Sequence, residues 1–372
     1  MKITVLRKVC KNQVRFGASF FSGRTKPILY QRNHQNAGIT ARFIMNITSP
    51  SRLHIALIDL NGSYGRVDGG IGVCLENPSF SLTAEPTDRD TEIVFREKNL
   101  AEAVTSEYTR KIVRAEQNVR LKLRLEENYI FTVNSTYPSH SGLGSGTQIA
   151  IATAKLMTES AGLHMSSVEL AKIAGRGGTS GIGVYGFDMG GFILDGGHSK
   201  KQKASFMPSS ASEAIPPVLI GRYEFPEDWN IVLAIPKDDG VRFSGSAEIN
   251  IFQTCCPLPK DEVKLLSHII LMNLVPFLIE KDLDGFGKCI NRIQEIAFNK
   301  VEFQLQPEII TERMMKMREI CPGVGLSSLG PTLFGVYDKK DVSVPKEIQE
   351  ALGDSVSIIT TKAQNHGAVL TP

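Results

Sequence analysis

The stretch Pro138–Met157, P-S-H-S-G-L-G-S-G-T-Q-I-A-I-A-T-A-K-L-M, decides how the rest of this chain is read. A glycine-serine loop there opens straight into an apolar-periodic helix. Gly142, Gly144 and Gly146 let the backbone curl around an anion. Ser145 and Thr147 offer hydroxyl donors, and the first free N–H groups of the helix bring the positive end of its dipole to the same spot. Ile149, Ala152 and Leu156 recur three and four apart, the spacing of one buried helix face, and no Gly or Pro interrupts the run before Gly162. Two readings of these residues stay open: a phosphate cradle, or a turn in which Gly144 and Ser145 merely begin a helix. The density of glycine favours the cradle. It is not a Walker-A loop, which needs Lys and then Ser or Thr directly after the glycines, since the next lysine is Lys155.

Outward from the loop, the pattern is that of an α/β chain. Ile47 to Leu60 reads as a strand running into an Asn61-Gly62 turn, with Gly70 to Leu75 returning as its hairpin partner. Residues 99–118 carry a helix pattern, 120–126 alternate as a short strand, and 129–134 form another strand before the loop. Ser199 to Pro217, rich in Pro, Ser and Lys, reads as a connection between domains. Beyond it come strands at 218–222 and 230–235, helices near 243–253, 260–279, 282–298 and 305–319, and a closing strand-turn-strand and helix. The expected domains are 45–205 and 206–372.

Composition sets bounds without adding specificity. The chain has 372 residues, 42% hydrophobic and 22% charged, enough for one large or two ordinary domains. A net charge of +3, with no basic stripe interleaved with aromatics, argues against a nucleic-acid partner. Cysteines stand at 10, 74, 255, 256, 289 and 321 without a C-x-x-C pair, which supports neither a zinc ribbon nor a disulfide framework and fits reduced thiols in a cytoplasm. No uninterrupted apolar stretch approaches the roughly 18–20 residues that span a bilayer, so no membrane partner is expected. Residues 1–44 are basic and almost free of acids. They read either as a targeting peptide or as an extension ahead of a fold that begins at Met45, and the second reading is preferred.

The loop resembles the P-x-x-x-G-L-G-S-S motif of the GHMP superfamily of small-molecule kinases through Pro138, Gly142, Leu143, Gly144 and Ser145. Gly146 replaces the second serine, and Thr147 and Gln148 replace the usual alanines, so no ATP is expected. Two further stretches, S-P-S-R-L-H-I-A-L-I-D-L-N-G-S-Y-G-R-V-D-G-G-I-G-V (Ser49 to Val73) and G-R-G-G-T-S-G-I-G-V-Y-G-F-D-M-G-G-F-I-L-D-G-G-H (Gly175 to His198), resemble the β-ribofuranosylaminobenzene 5′-phosphate synthase family of methanopterin biosynthesis. The similarity runs from about Met45 to the C-terminus. It implies a two-domain GHMP fold, an α/β phosphate-loop domain followed by a ferredoxin-like α+β domain. Gly323 to Val336, G-V-G-L-S-S-L-G-P-T-L-F-G-V, resembles the third motif of that superfamily, with Ser327, Ser328 and Gly330 facing the loop across a cleft.

The resemblance implies a decarboxylating transfer from phosphoribosyl pyrophosphate to 4-aminobenzoate or 4-hydroxybenzoate, by a homodimer; an ATP-dependent kinase of a small alcohol, or a catalytically silent binding protein on the same fold, are the alternatives. Such chemistry asks for glycine nests, arginines and Mg²⁺ around a heavily anionic donor. The residues offered for it are Gly142, Gly144, Ser145, Gly146 and Thr147 for pyrophosphate, Arg66 and Arg176 as phosphate clamps, and Asp68 or Asp188 for the metal. His54 and His198 are candidate acid-base groups, with Arg176 and Asp188 beside them in catalysis. Each also has a quieter reading. Asp68 and Asp188 can serve their own turns, His198 can cap beside the connection, and Arg52 and His54 share one side of the first strand.

Overall fold

The computed structural model describes residues 43–372, apart from 139, 210, 213, 238–241 and 244–245. The expectation for residues 1–44 therefore falls almost wholly outside the described residues. Arg42–Pro372 forms one compact unit built on two sheets.

The first sheet is mixed and eight-stranded. β1 (Met45–Asp59) and β2 (Arg66–Thr87) form the hairpin expected from the Asn61-Gly62 turn. Asp59 Oδ1 builds that turn by accepting from the N–H groups of Asn61 and Gly62 at 2.9 and 2.8 Å. β3 (Glu92–Phe95) leads into α1 (Glu102–Leu123), and β4 (Asn128–Ser135) pairs antiparallel with β2 and parallel with β3. The strand expected at 120–126 is absent: α1 runs on to Leu123 and ends at Arg124, in the left-handed region at φ 56°. The leucine alternation misleads there because Leu121 is 80% exposed, whereas Ile112, Ala115 and Val119, three and four apart, carry the buried face.

α2 (Ser145–Ser160) follows the glycine loop, then α3 (Ser167–Ala174) and α4 (Ile182–Met189). β5 (Phe192–Asp195) and β6 (His198–Ser199) pair with β2, and β7 (Leu219–Tyr223) pairs with β5. β7 thus belongs to the first sheet, and the boundary expected at 205/206 falls ahead of a strand that sheet needs.

The second sheet begins with β8 (Trp229–Pro236). Helices α5 (Ser246–Cys255), α6 (Lys260–Ile269), α7 (Val275–Glu280), α8 (Leu283–Ile293), α9 (Ala297–Gln304) and α10 (Glu308–Arg318) come next. β9 (Gly323–Leu326), β10 (Leu333–Asp338), α11 (Val344–Leu352) and β11 (Val356–Lys362) complete the sheet in the antiparallel order β11-β8-β10-β9. Strand, helices, two strands, helix, strand, in the spatial order fourth-first-third-second, is the ferredoxin-like arrangement. Alternation along β8 explains its two packed faces: Ile231 and Leu233 join the main core, while Val232 and Ala234 pack with Ile310, Met314 and Ile348 of α10 and α11. The chain then returns, and β12 (Val369–Thr371) pairs with β1.

α6, a wide turn over Ile270–Leu274 and α7 form one helical run, Lys260–Glu280. By length and composition it is apolar enough to cross a membrane, contrary to the reading of the sequence, and among the described residues it alone is so. Leu266, Ile269, Ile270, Leu274 and Leu278 pack into the core.

Candidate functional site

A cavity of about 270 Å³ opens between the glycine loop, β1, α9 and the turn joining β9 to β10. Gly144, at φ 83°, is the residue before α2, and no side chain caps that helix; the Thr147 N–H turns back to the Gly144 carbonyl at 3.3 Å, which leaves the N–H groups of Ser145 and Gly146 at the head of the helix for a ligand. The side-chain cap that a plain turn would bring to the start of the helix is absent. Gly142 cannot be another residue: at φ +83° an added Cβ would lie 2.1 Å from the carbonyl oxygen of Ser327. Ser327 Oγ donates to the Gly142 carbonyl at 2.8 Å and accepts from the His54 N–H at 3.1 Å, while the Ser328 N–H donates to the His54 carbonyl at 3.0 Å. Loop, first strand and β9–β10 turn are thereby laced into one wall.

Three cations surround the cradle. Arg52, from β1, donates through Nη1 to the Gly142 carbonyl. Burial pulls its pKa down to about 10, which leaves it charged at neutral pH. Arg176 follows α3. Its Nη2 reaches Thr147 Oγ1 only at 3.4 Å, and its buried Nε has no hydrogen-bond partner among the described residues. Burial lowers its pKa and the nearby Glu248 opposes that shift. Lys111, from α1, donates to Ser145 Oγ at 3.2 Å and pairs with Glu107, which His140 Nε2 also approaches at 3.1 Å. Burial alone would raise the Glu107 pKa, but hydrogen bonds from His140 and Lys111 hold it down at about 2.

The same cavity is lined by Phe243, Phe252, Phe298 and Leu329, with Glu302 and His54 among them. The Phe252 and Phe298 rings lie 4.9 Å apart. Phe298 and Glu302 are one helical turn apart on α9 and so share a face. Burial raises the Glu302 pKa to about 8 although Arg52 pulls it back. His54 is driven the other way, down to about 3, by burial and then by Arg52. It is a neutral imidazole at physiological pH, poorly matched to the acid-base role expected of it.

Of the residues singled out in the sequence, His54, Gly142, Gly144, Ser145, Gly146, Thr147, Arg176, Ser328 and Gly330 line this cavity, and Ser327 lies directly behind it. Four others do not, and their placement is corrected. Arg66 spends its guanidinium on the carbonyls of Gly196 and Gly197, at 2.7–3.0 Å, closing the β2–β6 pairing. Asp188 is exposed, and its Oδ2 accepts from the Ser167 N–H at the start of α3. Asp68 is buried against His198 Nδ1 at 2.6 Å and Lys203 Nζ at 3.0 Å, and His198 Nε2 is taken by the Ile215 carbonyl. Lys203 also donates to the Gly178 carbonyl and Thr179 Oγ1, so this cluster steadies the turn after Arg176 from behind. Neither Asp68 nor Asp188 fits a metal at the cavity, and among the described residues no group of three His, Cys, Asp or Glu is placed to hold one.

The sequence reading missed Arg52, Lys111, Glu248 and Glu302 as site residues. Arg52 was within reach, two positions from His54 on one strand face. The other three carry no local motif.

Comparison with known proteins places this site in a family. The GHMP kinases N terminal domain matches residues 104–194. Among solved structures, homoserine kinase from Cytophaga hutchinsonii aligns with a TM-score of 0.62 at 14% identity, over 92% of this chain and 100% of that one. Mevalonate kinase from L. major aligns with a TM-score of 0.63 at 14% identity, over 86% and 96%. These establish the shared fold. Beta-ribofuranosylphenol 5′-phosphate synthase of Methanothermobacter thermautotrophicus is 46% identical over 325 residues, 87% of this chain and 98% of its own length. The protein of the same name from Methanocaldococcus jannaschii is 42% identical over 87% of this chain and 99% of its own. With the phosphate-loop fold and this extent of identity together, the chain belongs to the β-ribofuranosylphenol 5′-phosphate synthase family, enzymes of the GHMP superfamily.

Proposed function

We propose that this enzyme transfers the phosphoribosyl group of phosphoribosyl pyrophosphate to 4-hydroxybenzoate, releasing pyrophosphate and carbon dioxide and leaving a β-ribofuranosylphenol 5′-phosphate. The observation that carries the reading is an uncapped glycine loop ringed by Arg52, Lys111 and Arg176 in the same cavity as an apolar aromatic wall. As the anomeric C–O bond breaks, negative charge grows on pyrophosphate, where fixed cations and helix N–H groups stabilise it most. The aromatic side suits a flat benzoate acceptor. The phenol in the relatives' names favours a hydroxylated acceptor over 4-aminobenzoate.

Thermal unfolding with each ligand, with Mg²⁺ present or chelated, tests the donor, because only a ligand that binds the folded state raises the midpoint. Phosphoribosyl pyrophosphate raises it and ATP does not, in keeping with Gly146 in place of the kinase serine. Incubation with phosphoribosyl pyrophosphate and 4-hydroxybenzoate then yields pyrophosphate and carbon dioxide in equal amounts. A shift with ATP alone, and phosphorylation of a small alcohol, would replace this reading with a kinase.

A further inference from the structure

We propose that Glu302 is the general base for the acceptor's para hydroxyl and sets the preference for a phenolic over an anilinic acceptor, an inference that rests on the reading above. Glu302 is buried, lines the cavity one helical turn from Phe298, and makes no hydrogen bond among the described residues. A carboxyl that lines a ligand cavity with no hydrogen bond of its own is placed to take one from a ligand. The cradle and its cations serve the anionic donor, whereas the Phe252 and Phe298 rings beside Glu302 suit the flat acceptor. The charged and titratable groups facing it are Arg52 and His54 from β1 and Glu248 from α5.

The chemistry gives this carboxylate a task. Carbon–carbon bond formation needs electron density at the ring carbon that bears the acceptor's carboxylate. With a phenol, the O–H bond breaks and its proton passes to Glu302; the oxygen pair pushes through the ring, the new C–C bond forms, and the anomeric C–O bond breaks with its pair leaving on pyrophosphate. The carboxylate then departs as carbon dioxide, its C–C pair restores the aromatic ring, and the proton returns from Glu302 to oxygen. With an aniline the nitrogen lone pair pushes without losing a proton, the nitrogen charge is cancelled when carbon dioxide leaves, and no base is used. No oxidant or reductant enters either sequence.

The test compares kcat/KM for 4-hydroxybenzoate and 4-aminobenzoate in wild-type enzyme, Glu302→Gln and Glu302→Asp. The ratio of phenol to aniline turnover falls at least tenfold in E302Q and recovers in part in E302D. The wild-type enzyme supplies a measurement that needs no variant. Its ratio rises with pH and levels off above about 8, where the Glu302 carboxyl has ionised, instead of following a phenol's own ionisation near 10. Equal losses on both acceptors in E302Q, or a wild-type ratio flat with pH, overturn the role of Glu302. Absence of product from wild-type enzyme with either acceptor overturns the proposed function instead.

Discussion

Arg176 is half-buried, with one long hydrogen bond to Thr147 and a buried Nε that has no partner among the described residues, so its fork is left for an anion to complete. Arg176→Lys keeps the charge and loses the fork. The expected loss is roughly ten- to a hundred-fold in kcat/KM, about 1.5–3 kcal/mol, with the unfolding midpoint little changed. Wild-type kinetics in the folded lysine variant would remove Arg176 from the site. His54 makes a second prediction, about stability. Its folded pKa, about 3, lies below the ordinary 6.5, so between those values the unfolded chain holds a proton that the folded protein does not. Stability therefore rises with pH across that window and is lost on acidification, by about 2 kcal/mol between pH 7 and pH 5. Urea unfolding at the two pH values checks this. His54→Asn flattens the difference, and an unchanged pH slope in that variant would show that another group is responsible.

At the scale of elements, the joint between the glycine loop and the β9–β10 turn hangs on one hydroxyl. Ser327 Oγ serves the Gly142 carbonyl and the His54 N–H together. Ser327→Ala leaves the His54 N–H without a partner and the Gly142 carbonyl held by Arg52 alone, and the expected cost is about 1–3 kcal/mol of stability with a raised KM for phosphoribosyl pyrophosphate. Thermal unfolding and steady-state kinetics read the two effects, and no change in either would mean the joint is held elsewhere. What the sequence made legible here is what is encoded locally: the β1–β2 hairpin through Asn61-Gly62, the loop-to-helix switch at Gly144, and Ile149, Ala152 and Leu156 in the core. Gly323 to Val336 was legible only through likeness to known motifs. What stayed hidden depends on residues far apart in the chain. Lys111 is an ordinary helix partner of Glu107 until Ser145 is folded against it, and Glu302 is one acid on a short helix until β1 places Arg52 nearby. The opposite error has the same root: Asp68 and His198 stand among glycines like ligand residues, yet they find their partners in each other and Lys203.

Over the whole molecule, both sheets belong to one compact unit, and relatives matched over 98% of their length align with only 87% of this chain. Residues 1–44 precede every motif used at the site and show no sustained period. A protein starting at Met45 should keep its activity and an unfolding midpoint within about 2 °C of the full chain. Insolubility, or a fall of several degrees, would show that the N-terminal segment supports the fold. The return of β12 to β1 has a consequence for how the protein is made. Thr48 pairs with Val369, more than 300 positions later. At about 5–20 residues per second a ribosome needs on the order of 15–60 s to cover that span. Throughout, the edge of the first strand is open on the nascent chain, a template for pairing with a neighbouring polypeptide.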